Sequence, residues 1–446
     1  MLDSQLKRQL KTLTIPVFIQ TALVMLLGIM DTVMLSRYSD NGVAAVGLVN
    51  QLVNFVFLVF QFFSLGTAIL CAQYIGAGLH KRQVQVVGMA LVFNLLLGLV
   101  VSVLLFCYAE ELLQLLGLQS ELMGDGVAYL RLSGGGSFLL ALSLVLSASL
   151  HSVGNTRSPM VATAIANVIN IIGNDFLIFG HCGFPMMGVE GAAIATLVGR
   201  AVAAVLLAVI HFKELIPRFP LDYFRPIPWQ ELRNLLRIGI PDMTDGVSYN
   251  LSQVVIIYFI NQISTEALTA RTYCINIIIF VILFCMSFSQ GGSILVGRLI
   301  GQQQHQKAYE LGNYVFRISL MVTLTISAVL ALMGKTILGV FTDNQEIIAL
   351  GCYVLFIDFF AEIGRSCNIF AVGTLRATGD VFYPIVIGII FQWTVAVGLS
   401  YFLGISLGYG LMGIWFCFAL DENIRGIILL RRWRSGKWRD KGFVKT

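Results

Sequence analysis

At 446 residues, 57% hydrophobic and only 12% charged, the chain falls outside the soluble globular range and reads as an all-α polytopic membrane protein. Its net charge of +5 sits in short segments between apolar runs and in the tail from Arg431 to Lys445, which is topology information and no nucleic-acid footprint. The eight cysteines have no CxxC spacing, and Cys71, Cys107, Cys285 and Cys417 lie in apolar runs, where core positions are expected rather than metal ligands.

Met1 to Thr14 is polar and basic, and no small-residue cleavage site follows the first apolar run, so no removable signal peptide is expected. That first run carries Pro16 near its start and Asp31 near its end. At 1.5 Å per residue the carboxylate lies roughly 22 Å along the helix from the proline, inside a hydrocarbon layer of about 30 Å. A charge at that depth is expensive, and such residues face the bundle interior and serve ion or substrate traffic. The alternative is that the helix ends early and Asp31 sits among headgroups.

Twelve apolar runs are long enough to span, at about 13–36, 46–72, 86–108, 126–150, 160–180, 188–212, 238–262, 271–297, 311–334, 350–374, 384–403 and 410–431. An even number returns both termini to one side. Lys7, Arg8, Lys11, Lys81, Arg82, Arg157, Arg298, Lys307 and Arg376 fall in that side's segments, whereas Asp40, Glu110, Glu111, Glu121, Asp125, Glu190, Glu266, Asp343 and Glu346 fall in the opposite ones, so both termini are expected in the cytoplasm. The segment 213–237, with Pro217, Pro220, Pro226 and Pro228 among Lys213, Arg218, Arg225, Arg233 and Arg237, marks a linker between an N-terminal lobe (1–212) and a C-terminal lobe (238–446) that ends in a basic tail. The turns at Gly76–Lys81 and Gly301–Lys307 contain no phosphate-loop motif, so nucleotide-driven pumping has no support.

Sliding the chain against itself by 225 positions exposes an internal repeat. Ile15-Pro16 falls on Ile240-Pro241, Phe63-Ser64 on Phe288-Ser289, Ile75-Gly76 on Ile300-Gly301, Gly154 on Gly379, Gly188 on Gly413 and Arg200 on Arg425, without a gap. A duplicated six-helix unit with an even number of crossings gives two parallel repeats, related by an axis along the membrane normal. That is a transporter's architecture, although a channel or membrane enzyme can also be duplicated.

Several stretches then resemble the multidrug and toxic compound extrusion (MATE) family. They are Asp31-Thr32-Val33-Met34, Gln73-Tyr74-Ile75-Gly76-Ala77-Gly78, Asn167 and Asn170 leading to Phe179-Gly180, Gly188 to Thr196, Leu375-Arg376 with Gly379-Asp380, and Arg425 ahead of Arg434 to Trp438. The resemblance implies a V-shaped, two-lobed antiporter that expels organic, often cationic, amphipathic compounds or metabolites in exchange for H⁺ or Na⁺. It implies no cofactor beyond that ion, no enzymatic activity and no nucleic-acid partner. It further implies a monomer in the bacterial inner (plasma) membrane, with helix 1 bending at Pro16.

Departures from the family pattern redirect the site. Four residues after Asn170 the family usually has an acid, and here that position is Asn174, with Asp175 next to it. Asn167, Asn170 and Asn174 share one helix face within about 60°, whereas Asp175 reaches it only from the edge. The helix 7 glutamate and helix 10 aspartate of the sodium-coupled multidrug branch are replaced by Tyr249 and Arg365.

The expected coupling and substrate set is therefore Asp31, Asn170, Asn174, Asp175 and Thr196, with Asp31 and Asn170 as ligands if the ion is sodium. Bonding between helices is the competing role for the asparagines. In the second lobe, Asp358, Glu362 and Arg365 share a face of helix 10, as either a self-neutralising ion cluster or a site for anionic and zwitterionic groups. Asp242 and Asp245 are expected to charge the first turn of a helix opened by Pro241. A flippase for lipid-linked saccharides is the alternative function, and a duplicated channel a third.

Overall fold

Lipid offers the backbone no hydrogen-bond partners, so each apolar run must satisfy its own N–H and C=O groups as helix. A computed structural model, which describes residues 3–215 and 220–444, is helical along all twelve expected spans. Pro217 and Arg218 of the expected linker, and Lys445, lie outside the described residues. The long helices are α1 (Ser4–Ser36), α2 (Asp40–Gly76), α3 (His80–Cys107), α4 (Ser137–Ser152), α5 (Arg157–Phe179) and α6 (Gly188–Glu214). After them come α7 (Trp229–Asn261), α8 (Thr265–Gly301), α9 (His305–Leu332), α10 (Gln345–Thr378), α11 (Phe382–Phe391, continuing in wider turns to Ser406) and α12 (Gly410–Arg434).

Among the described residues nine of these stretches are apolar and long enough to cross a membrane, and a tenth crossing is the pair Ser120–Gly134 and α4, bent by 40°. Helices α7 and α12 have the length but carry Asp242, Asp245, Asn250 and Gln253, and Asp421, Glu422 and Arg425, respectively. Elsewhere the lipid-facing side is written as exposed apolar residues at helical spacing, such as Val92, Leu96, Leu99 and Val103 on α3 and Val161, Ile165, Val168 and Ile172 on α5. Cys71, Cys285 and Cys417 are buried as expected, but Cys107 is exposed because it ends α3 on that outer face.

The repeat holds at the level of single hydrogen bonds. Ser39 caps α2 by accepting from the Gly42 N–H at 3.2 Å, and its counterpart Ser264 caps α8 through Ala267 at 3.0 Å. Ser64 donates to the Leu144 carbonyl at 3.1 Å, and Ser289 to that of Ile369 at 3.0 Å. Gly154 and Gly379 both take left-handed backbone, with φ of 82° and 96°, where helices α4 and α10 must stop.

The chain packs as two units, Ile15–Ile240 and Pro241–Thr446 with Met1–Thr14. Helices α1 and α7 therefore each change units next to their prolines. The reason is a buried stripe on each opening segment. Leu10 and Leu13 of α1 join the core of Leu295, Leu299 and Leu311, while Leu235 and Ile238 of α7 are buried in the first unit. Glycines make room: a Cβ on Gly66 would meet the Leu235 carbonyl at 3.3 Å, and one on Gly291 would meet Thr14. Burying one such leucine is worth about 1.5–3 kcal/mol.

The α7 segment is further held by Glu231, which is buried and accepts from the Tyr74 hydroxyl at 2.7 Å, with Arg82 4.0 Å away. Pro241 consequently lies inside α7 rather than at its first position, which corrects the capping role expected for Asp242 and Asp245. The preceding turns are amphipathic rather than apolar, so hydropathy placed the start of the helix at the membrane edge.

Candidate functional site

In the unit Ile15–Ile240 the polar residues converge on the second half of α1. Helices α5 and α6 approach closely because the contact is lined by small residues: a Cβ on Gly199 would stand 3.0 Å from the Ala166 carbonyl, and one on Gly173 would stand 3.0 Å from Ala195. That closeness lets Asn170 of α5 reach Thr196 of α6. Asn174 sits one turn further and donates to Asp31 Oδ1 at 2.7 Å. The Asn170 amide has two orientations that close hydrogen bonds. In one, its nitrogen donates to Asp31 Oδ1 at 2.9 Å while its oxygen accepts from the Thr196 hydroxyl and backbone N–H at 3.1 and 3.2 Å. In the other, its oxygen accepts from Asn174 at 3.0 Å and its nitrogen donates to Thr196 at 3.1 Å.

Asn170 and Asn174 are fully buried and Asp31 is half-buried, so the carboxylate leans on amide dipoles in place of water. Buried Tyr129 lies close to Thr196 and within coulombic reach of Asp31, as does Arg200, which donates to the Ser133 carbonyl at 2.9 Å. Two further bonds tie α1 down beyond Pro16. Asn167 donates to the Leu23 carbonyl at 2.7 Å, and His151 Nε2 meets Gln20 Oε1 at 3.2 Å, one helical turn past the proline.

The structure thus brings Asp31, Asn170, Asn174 and Thr196 into one network and leaves Asp175 outside it. Asp175 is about half exposed, and both its oxygens lie 3.1 Å from His181 Nδ1. It lines a groove of about 540 Å³ with Met30, Val33, Arg37, Ile171 and Phe176. Tyr129, Arg200, Gln20 and His151 were missed by pattern reading; for Arg200 the signal was there, an arginine inside an apolar run that recurs as Arg425.

In the other unit, Arg365 bridges Asp358, at 3.1 Å, and Glu362, and the Trp415 indole donates to Asp358 Oδ1 at 3.3 Å. Arg425 bridges Asp421 and Glu422 at 2.6 and 3.1 Å, and Asn368 donates to Glu422 at 2.9 Å. Asp242 and Asp245 hold Arg376 from α10 at 2.5 and 3.0 Å, so these acids bind helix to helix. Trp393 donates to Ser248 at 2.9 Å, a structural bond between α11 and α7.

A carboxylate held by amide N–H donors can take a proton or a hard monovalent cation in exchange for those donors, with the amide and hydroxyl oxygens of Asn170, Asn174 and Thr196 nearby as further hard ligands. Among the described residues no group of three His, Cys, Asp or Glu stands as a metal cluster. The profile of the MatE family matches residues 16–175 and 243–417. An uncharacterized transporter, YisQ, of Bacillus subtilis is 39% identical over 97% of this chain and 95% of its own length. A probable multidrug resistance protein, NorM, of Thermotoga maritima is 28% identical over 99% of this chain and 95% of its own. A solved structure described as the outward-facing conformation of a multidrug resistance MATE family transporter of the MOP superfamily superimposes with a TM-score of 0.88, at 20% identity, over 97% of both chains.

Proposed function

Because the chain belongs to the MatE family of membrane transporters, we propose that it exports amphipathic organic compounds from the bacterial cytoplasm in exchange for H⁺ or Na⁺, with Asp31 as the coupling carboxylate. It acts as a monomer in the inner membrane, with both termini in the cytoplasm. The observation that carries this reading is the Asp31 network: a membrane-depth carboxylate held by Asn174 at 2.7 Å and within reach of the Asn170 amide, on a helix that also carries a proline inside it.

Each hydrogen bond to a charged carboxylate is worth about 1.5–3 kcal/mol. An ion on Asp31 competes with these donors, and losing one of them moves a two-state equilibrium roughly 10- to 150-fold. Pro16 leaves one backbone carbonyl of α1 without its helical donor, so the helix bends there at low cost. Ion binding biases the bend of α1 beyond Pro16, the substrate leaves outward, and ion release inward resets the helix.

The test is ethidium efflux from cells and uptake into everted vesicles by the parent and Asp31→Asn, across pH and sodium concentration. The substitution should leave the protein folded in the membrane and abolish ion-dependent efflux. Full, still ion-dependent efflux by Asp31→Asn would move the coupling site elsewhere.

A further inference from the structure

Four arginines of the unit Pro241–Thr446 are neutralised by acids. Arg365, Arg376 and Arg425 each hold two carboxylates, and Arg432 holds Asp380 at 2.8 Å. Arg271 of α8 is different. It is 9% exposed, and its guanidinium reaches a neutral amide, Gln253 Oε1 on α7, at 3.1 Å; its Nε is buried without a partner, as are those of Arg376 and Arg425, but those two have acids on their other nitrogens. No carboxylate pairs with it among the described residues. A guanidinium has five N–H donors, and leaving a buried cation without an anion is costly. Gln253 does not pay that cost, but it does hold the fork in place.

The surroundings suit a ligand. Tyr249 lies one turn from Gln253 on the same face of α7, half exposed, and Arg271, Arg365, Arg425 and Glu422 are all within coulombic reach of it. Arg365 and Arg425 are already committed to their own acids, which leaves Arg271 as the group with donors to give. An aromatic ring within coulombic reach of an orientated guanidinium that no acid neutralises matches a compound that carries a carboxylate on an aromatic body.

We propose that Arg271, positioned by Gln253 and flanked by Tyr249, binds the carboxylate of anionic or zwitterionic aromatic substrates. The inference deepens the export reading and rests on it for the substrate's fate, but it makes its own claim about binding. Charge-assisted hydrogen bonds to arginine predict a roughly 10- to 150-fold preference for a free carboxylate over its ester, converting about 1.5–3 kcal/mol.

The experiment is fluorescence anisotropy of the purified full-length protein with a rhodamine that bears a free carboxyl group and with the methyl ester of the same dye. The parent should bind the free acid about tenfold or more tightly than the ester. Arg271→Gln should abolish that difference by weakening the acid alone, and Arg271→Lys should restore part of it. Thermal stability of Arg271→Gln should equal or exceed that of the parent, since an unpaired buried cation is removed. Equal binding of acid and ester by the parent, or equal weakening of both dyes by Arg271→Gln, overturns the proposal. Ethidium efflux by the parent is read separately: its absence counts against export and leaves the binding preference standing or falling by itself.

Discussion

Removing Arg365 should destabilise the protein more than removing either of its partners. The guanidinium is the shared countercharge of Asp358, 3.1 Å away, and Glu362, and the three side chains are at most 15% exposed. After Arg365→Ala, Asp358 keeps the Trp415 indole at 3.3 Å, whereas Glu362, whose Oε2 already lacks a partner, keeps nothing. Breaking a buried pair by deleting one member costs about 3–5 kcal/mol, because the remaining charge is left uncompensated. Asp358→Asn leaves the Arg365–Glu362 pair intact and should cost about 1.5–3 kcal/mol, the range of a single lost hydrogen bond to a charged group. The assay is thermal unfolding in detergent, followed by tryptophan fluorescence, of each single variant and of Arg365→Met combined with Asp358→Asn and Glu362→Gln. The combined variant should recover most of the loss, since it removes the charges together. An Arg365→Ala protein with parental stability that no longer exports acidic dyes would refute the structural account and make Arg365 a recognition group.

Two further outcomes are expected. Glu231→Gln weakens the bond that pins the opening turns of α7 against Tyr74, and should lower stability by about 1–3 kcal/mol; Tyr74→Phe should act in the same direction, and a thermal-shift double-mutant cycle should find the two losses non-additive. Cys182, exposed in the turn that follows α5, should react with a membrane-impermeant maleimide added to intact cells, while buried Cys71 and Cys274 stay silent; labelling of Cys182 only after the membrane is opened would reverse the proposed orientation.

The spans were legible because lipid imposes one rule on every crossing, and apolar runs obey it wherever they occur. The boundaries of α1 and α7 were not, because Leu10, Leu13, Leu235 and Ile238 are buried by protein on segments whose other faces are polar. Within the site, the shared face of Asn170 and Asn174 followed from their i, i+4 spacing, and the structure closes it onto Asp31. Asp175 could be placed only at the edge of that face; its partner, His181, lies beyond the left-handed turn at Gly180, where helical spacing stops applying. Tyr129 and Arg200 enter from other helices, and no local pattern connects them to α1.

The 225-residue repeat carries the same lesson further, since it is faithful where the backbone turns and, apart from Arg200 and Arg425, does not repeat the residues of the polar sites. Ser39 and Ser264, Ser64 and Ser289, and Gly154 and Gly379 each do one job twice. By contrast, Asp31 stands opposite Ile256, Asn170 opposite Val395, Asn174 opposite Leu399, Arg271 opposite Val46 and Arg365 opposite Leu140. Caps and turns are fixed by geometry that both copies need, whereas a buried charge is tolerated only where partners surround it. After duplication each copy could keep such a group only by building its own partner set, and the two copies built different ones: amides and a hydroxyl around a single acid in one, arginine-bridged acids with one unpaired arginine in the other. A duplicated fold with unduplicated polar interiors gives each unit its own chemistry, so a substitution in one interior has no silent twin to compensate for it.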